Sequence, residues 1–141
     1  MLAQSAKVTR MHMVLFLHVV GMSLFLGGQL FLVAVALPAM RTVEPESRLE
    51  TFTRIGRVFG MVAVVVLALL IATGVWMMLD RNLSPADNSA LRHKLELLSV
   101  VLISTTVHGI ASVQRKLRVA RVASIVTLLS TLGIVWYALA I

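Results

Sequence analysis

Four histidines, His12, His18, His93 and His108, are the side chains best suited to chemistry, and eight methionines accompany them in a chain with no cysteine. The missing thiols exclude disulfides, thiolate metal sites and iron–sulfur clusters, so imidazole and thioether must carry any metal chemistry. His18 lies inside the apolar run from Met11 to Met40, and His108 lies inside another from Leu97 to Val113. An imidazole at such depth is costly in lipid unless it faces protein and finds a partner there. An interhelical hydrogen bond accounts for either histidine taken singly. Two in one small bundle point toward a cofactor. A b-type haem held by helix histidines needs apolar walls, small residues beside the ring and imidazoles at matching depth. His18 is then the expected axial ligand, with His108 or His93 as the second. Depth counts against the pairing of His18 with His108: the two differ by six residues from the outer edge, about 9 Å at the helical rise. Lys94, next to His93, is placed either to receive an anionic group such as a propionate or, with Glu96, to mark the membrane edge.

A second grouping lies at the outer face, where Met11, His12, Met13, Met78 and His93 gather at the same end as His18. Thioether with imidazole suits Cu(I), although methionine is also an ordinary gap-filler in apolar helices. No phosphate-binding glycine loop is present, because Gly27-Gly28 lies within an apolar run rather than after a strand. Aspartate and glutamate occur only in loops and at Glu96, which argues against a proton-coupled pump built from this chain alone.

The elements that must position these residues follow from composition. Of 141 residues, 59% are hydrophobic and 13% charged, too few to coat a soluble domain. Four runs are long enough to cross a bilayer, 11–40, 58–79, 91–113 and 119–141, and they predict one all-α domain, a four-transmembrane-helix bundle. The net charge of +7 comes from clusters beside the spans rather than from one continuous surface, so it reports topology and not nucleic acid. Arg41, Arg48, Arg54, Arg57, Arg115, Lys116, Arg118 and Arg121 fall on one side, against Lys7, Arg10, Arg81, Arg92 and Lys94 on the other. That places both basic loops in the cytoplasm, with the N-terminus and C-terminus outside. The first run is too long for a signal-peptide core and no A-x-A-like site follows, so it is expected to be retained.

Within the runs, His18, Gly21, Met22, Phe25, Gln29 and Ala36 form one stripe, and Gly27-Gly28 offers close approach to a helix or flat ligand. Pro38 helps to end the first helix. Residues 1–10 read as a polar lead. The 41–57 segment reads as a loop whose Leu49, Phe52 and Ile55 form an amphipathic lead-in. Gly56 and Gly60 begin a small-residue face on the second helix. Asp87, Asn88 or Ser89 caps the third helix. Ser104, Thr105, His108, Ser112 and Arg115 share an inward face, and Ser124, Thr127 and Thr131 give the fourth helix a weaker one.

Leu17-His18-Val19-Val20-Gly21 with Phe25-Leu26-Gly27-Gly28, then Arg54 to Phe59 leading to Thr73-Gly74-Val75, and the Lys94-Leu95 start of the third helix, resemble the CopD-type membrane domain of bacterial copper-resistance proteins. The resemblance runs over almost the whole chain and implies a multi-pass protein of the bacterial inner membrane that handles copper. The chain is also distantly similar to the small four-helix membrane protoporphyrinogen oxidases, which bind haem; their first-helix histidine corresponds to His18 and their third-helix histidines to His93 and His108. That family carries an arginine late in its first helix, whereas this chain is apolar from Val33 to Leu37, which weighs against porphyrinogen oxidation. The expectation is a haem b protein of electron transfer or haem-linked oxidation, with copper transport as the alternative. A structural membrane subunit is the third reading, its partners being the lipid bilayer and a homo-oligomer or redox protein.

Overall fold

In lipid every backbone N–H and C=O must be satisfied within its own segment, and runs rich in Leu, Val and Ala do so as helices. A computed structural model describes residues 2–114 and 116–139 and is helical nearly throughout, with no strand among them. Four helices are long and apolar enough to cross a membrane, which makes this an all-α, multi-pass membrane protein. They are α1 (Leu2–Phe31), α2 (Pro45–Asp80), α3 (Ser89–Val113) and α4 (Leu117–Ala138). The chain divides into two compact units, Met1–Asn82 and Leu83–Ile141, each an antiparallel helical hairpin.

In the first unit the helix begins well before Met11, so the expected polar lead is helical. Lys7 consequently meets Asp80 at 3.5 Å. After α1 the helix loosens into a π-helical turn at Leu32–Ala36, where the Leu37 N–H reaches back to the Leu32 carbonyl. Pro38 is the physical cause: lacking an N–H, it removes the normal partner of the Ala34 carbonyl, and the wider turn relieves the ring. The chain then runs through Leu37–Ala39 and a 3-10 turn at Met40–Thr42 before turning extended at Val43. Pro38 therefore loosens the helix, which continues one turn beyond it.

The 41–57 segment is not the loop expected. Glu44 stands as N-cap and Pro45 at the first helical position, where its missing N–H and fixed φ cost nothing, and α2 runs unbroken from there. The tight connection is held by Arg48, whose Nη2 donates to the carbonyls of Val43 (2.9 Å) and Arg41 (3.3 Å). Of the amphipathic lead-in, Phe52 is exposed and Ile55 half-buried within this helix; the Leu49 side chain lies outside the described residues. Gly21 packs against Leu70, and Gly28 is covered by the Phe59 ring. Phe25, Ala36, Ala63, Val66, Leu67 and Leu70 supply the buried apolar surface. At the far end Asn82 takes a positive φ of 50°, a conformation asparagine tolerates.

In the second unit Asn88 caps α3, its Oδ1 accepting from the Leu91 N–H at 2.9 Å. The two polar stripes meet: Ser104 and Thr127 hydroxyls lie 2.8 Å apart in a buried contact beside Val101 and Thr131, each only 1% exposed. Leu97 packs onto Gly133. Arg115 and the last residues of the fourth predicted span lie outside the described residues.

Candidate functional site around His18

His18 is part-buried on α1 and faces α2. Its Nδ1 lies 2.8 Å from Thr73 Oγ1. Thr73 is itself buried, and its hydroxyl donates to the Leu69 carbonyl at 2.7 Å, with the Leu70 carbonyl at 3.2 Å. A hydroxyl has a single hydrogen, so once that is given to the backbone Thr73 Oγ1 can only accept from the imidazole. Nδ1 therefore carries the proton and Nε2 is the basic nitrogen. The ring edge rests on the bare backbone of Gly74, where a Cβ would stand 3.5 Å from Cε1. This arrangement fixes both tautomer and ring orientation, as the outer partner of a metal-bound histidine does.

His108 is tied within the second unit. Its Nδ1 lies 2.9 Å from the Ala120 carbonyl, which can only accept, so this nitrogen too bears the proton. Ser124 Oγ is equally close to Nδ1, and Ser112 Oγ stands 3.5 Å from Nε2. The interhelical hydrogen bond considered for a lone histidine is present for both, His18 joining α1 to α2 and His108 joining α3 to α4. His93 sits near the start of α3, with its Nδ1 3.1 Å from Glu96 Oε2 and its ring 5.1 Å from that of Tyr137, tilted by 36°. Lys94 is half-buried beside it.

Met11 is half-buried while His12 and Met13 are exposed, as three successive helical positions about 100° apart must be. Met78 is half-buried on α2. Among the described residues no group of three or more His, Asp or Glu side chains converges as a metal site.

Thr73 is the site residue that sequence reasoning about the histidines missed. The signal was the dipeptide Glu44-Pro45: folding the chain back about that point sets His18 opposite a position close to Thr73. Gln29 gains a meaning the stripe did not give it, because its side-chain amide is buried with neither its nitrogen nor its oxygen hydrogen-bonded. Compared with known proteins, the chain matches no family model, no curated protein and no solved structure.

Proposed function

We propose that the chain is a b-type haem protein of the bacterial inner membrane, with His18 as an axial ligand through Nε2. The observation that supports this reading is the relay from His18 Nδ1–H through Thr73 Oγ1 to the Leu69 carbonyl. It leaves an imidazole with the tautomer and rigidity that iron ligation requires, beside the small Gly74 and among apolar side chains. Bound there, haem would supply one-electron redox chemistry, in electron transfer or haem-linked oxidation. The protein's part is to hold the imidazole, orient it through Thr73 and exclude water with the apolar packing of α1 on α2. His108 and His93, the other histidines that the sequence offers as ligands, belong to the second unit and are each engaged there. Their own hydrogen bonds are the competing explanation that substitution must separate.

Copper handling by Met11, His12, Met13, Met78 and His93 draws less support, since successive residues on one helix do not converge on an ion. The deciding experiment is a pyridine haemochrome assay with metal analysis on the detergent-purified protein from cells supplied with haem precursor. Haem at one equivalent per chain with little copper is the expected result. Copper at one equivalent without haem would reverse the assignment, and neither would leave the third reading, a scaffold subunit.

A further inference from the structure

The first unit carries a groove of about 730 Å³ between α1 and α2, lined from Ser23 to Phe31 on α1 and from Arg54 to Val62 on α2. Its walls are almost wholly apolar, with Leu24 and Phe31 on α1 and Val58 and Val62 on α2. Gly27 opens its floor: a Cβ there would meet nothing within 4 Å, whereas the neighbouring Gly28 is already covered by Phe59. Two lining residues are polar, Ser23 and Arg54. The Ser23 hydroxyl is committed to the Val19 carbonyl at 2.9 Å, so it offers its proton to nothing else. Arg54 forms no ion pair among the described residues, where Lys7–Asp80 and His93–Glu96 are the pairs found. It stands at the end of the groove nearer the Glu44–Pro45 turn, and Arg57 follows one helical turn later.

From these features we infer that the groove binds an anionic phospholipid, with one acyl chain along the Gly27 floor and the phosphate on the Arg54 guanidinium. The complementarity lies in both parts. An apolar trough some eight residues long, about 12 Å at the helical rise, fits hydrocarbon. A single guanidinium at one end fits a phosphate, to which arginine gives two parallel N–H donors and a charge that no membrane pH removes. Across residues 41–57 the four arginines outnumber Glu44, Glu46 and Glu50 by one charge, so the preference for a lipid of net negative charge over a zwitterionic one rests mainly on Arg54 itself. Lipid binding in this groove does not depend on haem.

The test is native mass spectrometry of the full-length protein released from nanodiscs containing equal phosphatidylglycerol and phosphatidylcholine. The wild type should retain phosphatidylglycerol preferentially, and Arg54→Gln should cut that retention about tenfold, the loss expected for a charge-assisted contact. Arg54→Lys should retain an intermediate amount. Gly27→Leu should expel the lipid by filling the floor; Val58→Phe, at an exposed position, does the same from α2 should the first variant misfold. Equal retention of both lipids, or unchanged retention in Arg54→Gln, would overturn the inference. So would efficient disulfide dimerisation of Gly27→Cys in this cysteine-free chain, which would give the groove to a second copy.

Discussion

At the residue scale, the buried polar side chains divide into those with a partner and those without, and the two classes should respond oppositely to substitution. Thr73→Val removes the acceptor for the His18 Nδ1–H. Polar contacts between membrane helices are worth about 0.6–2 kcal/mol, so unfolding stability should fall by that amount. Bound haem should weaken by roughly 10–100-fold, the usual effect of losing an outer partner of a metal ligand, while Thr73→Ser should restore both. Gln29 behaves differently. The residue is 9% exposed and its buried amide is unpaired, so Gln29→Met should stabilise the protein by about 1–3 kcal/mol in a denaturant titration. A loss of stability in that variant would show that the amide is engaged. The sequence singled out His18 because an imidazole in a long apolar run demands a partner. It did not name Thr73, because pairing depends on where the chain folds back, and starting the second span at Val58 rather than Pro45 passed over the Glu44-Pro45 signal.

At the scale of elements, adjacent glycines on α1 do different work. An alanine at Gly28 would press into the Phe59 ring, and overpacking of this kind costs about 1–3 kcal/mol. Gly27→Ala, with open space around it, should instead raise stability by up to about 1 kcal/mol through helix propensity. Thermal unfolding of the two variants side by side checks the contrast. Gly56 and Gly60 are open in the same way, so Gly60→Leu should leave the first hairpin folded, and any change of assembly it caused would report a partner on that face. Element identity was readable from hydrophobic runs, and a cap at Asp87, Asn88 or Ser89 from the turn-rich setting, of which the structure uses Asn88. Boundaries were not: polar residues 2–10 and 45–57 look like lead and loop, yet they continue helices whose first turns are already nucleated by the apolar spans. The π-helical turn was likewise hidden, because Pro38 signals a break without saying whether the chain stops or widens.

At the scale of the whole molecule, four spans were evident because composition leaves no other way to solvate the chain. The charge count of eight basic residues against five supports placing the Glu44–Pro45 turn inside and the Asn82 turn outside. The absence of native cysteine makes this directly testable. In intact cells an impermeant thiol reagent should label Asn82→Cys and spare Glu46→Cys; the reverse pattern would invert the topology. The functional reading rests on the His18–Thr73–Leu69 relay. Its most direct test is the absorbance spectrum, oxidised and dithionite-reduced, of the purified wild type beside His18→Ala. A Soret band with a sharp reduced α-band in the wild type, lost in the variant while its helical circular dichroism persists, is the predicted result. A featureless wild-type spectrum from haem-replete cells, or an identical Soret band in His18→Ala, would contradict it.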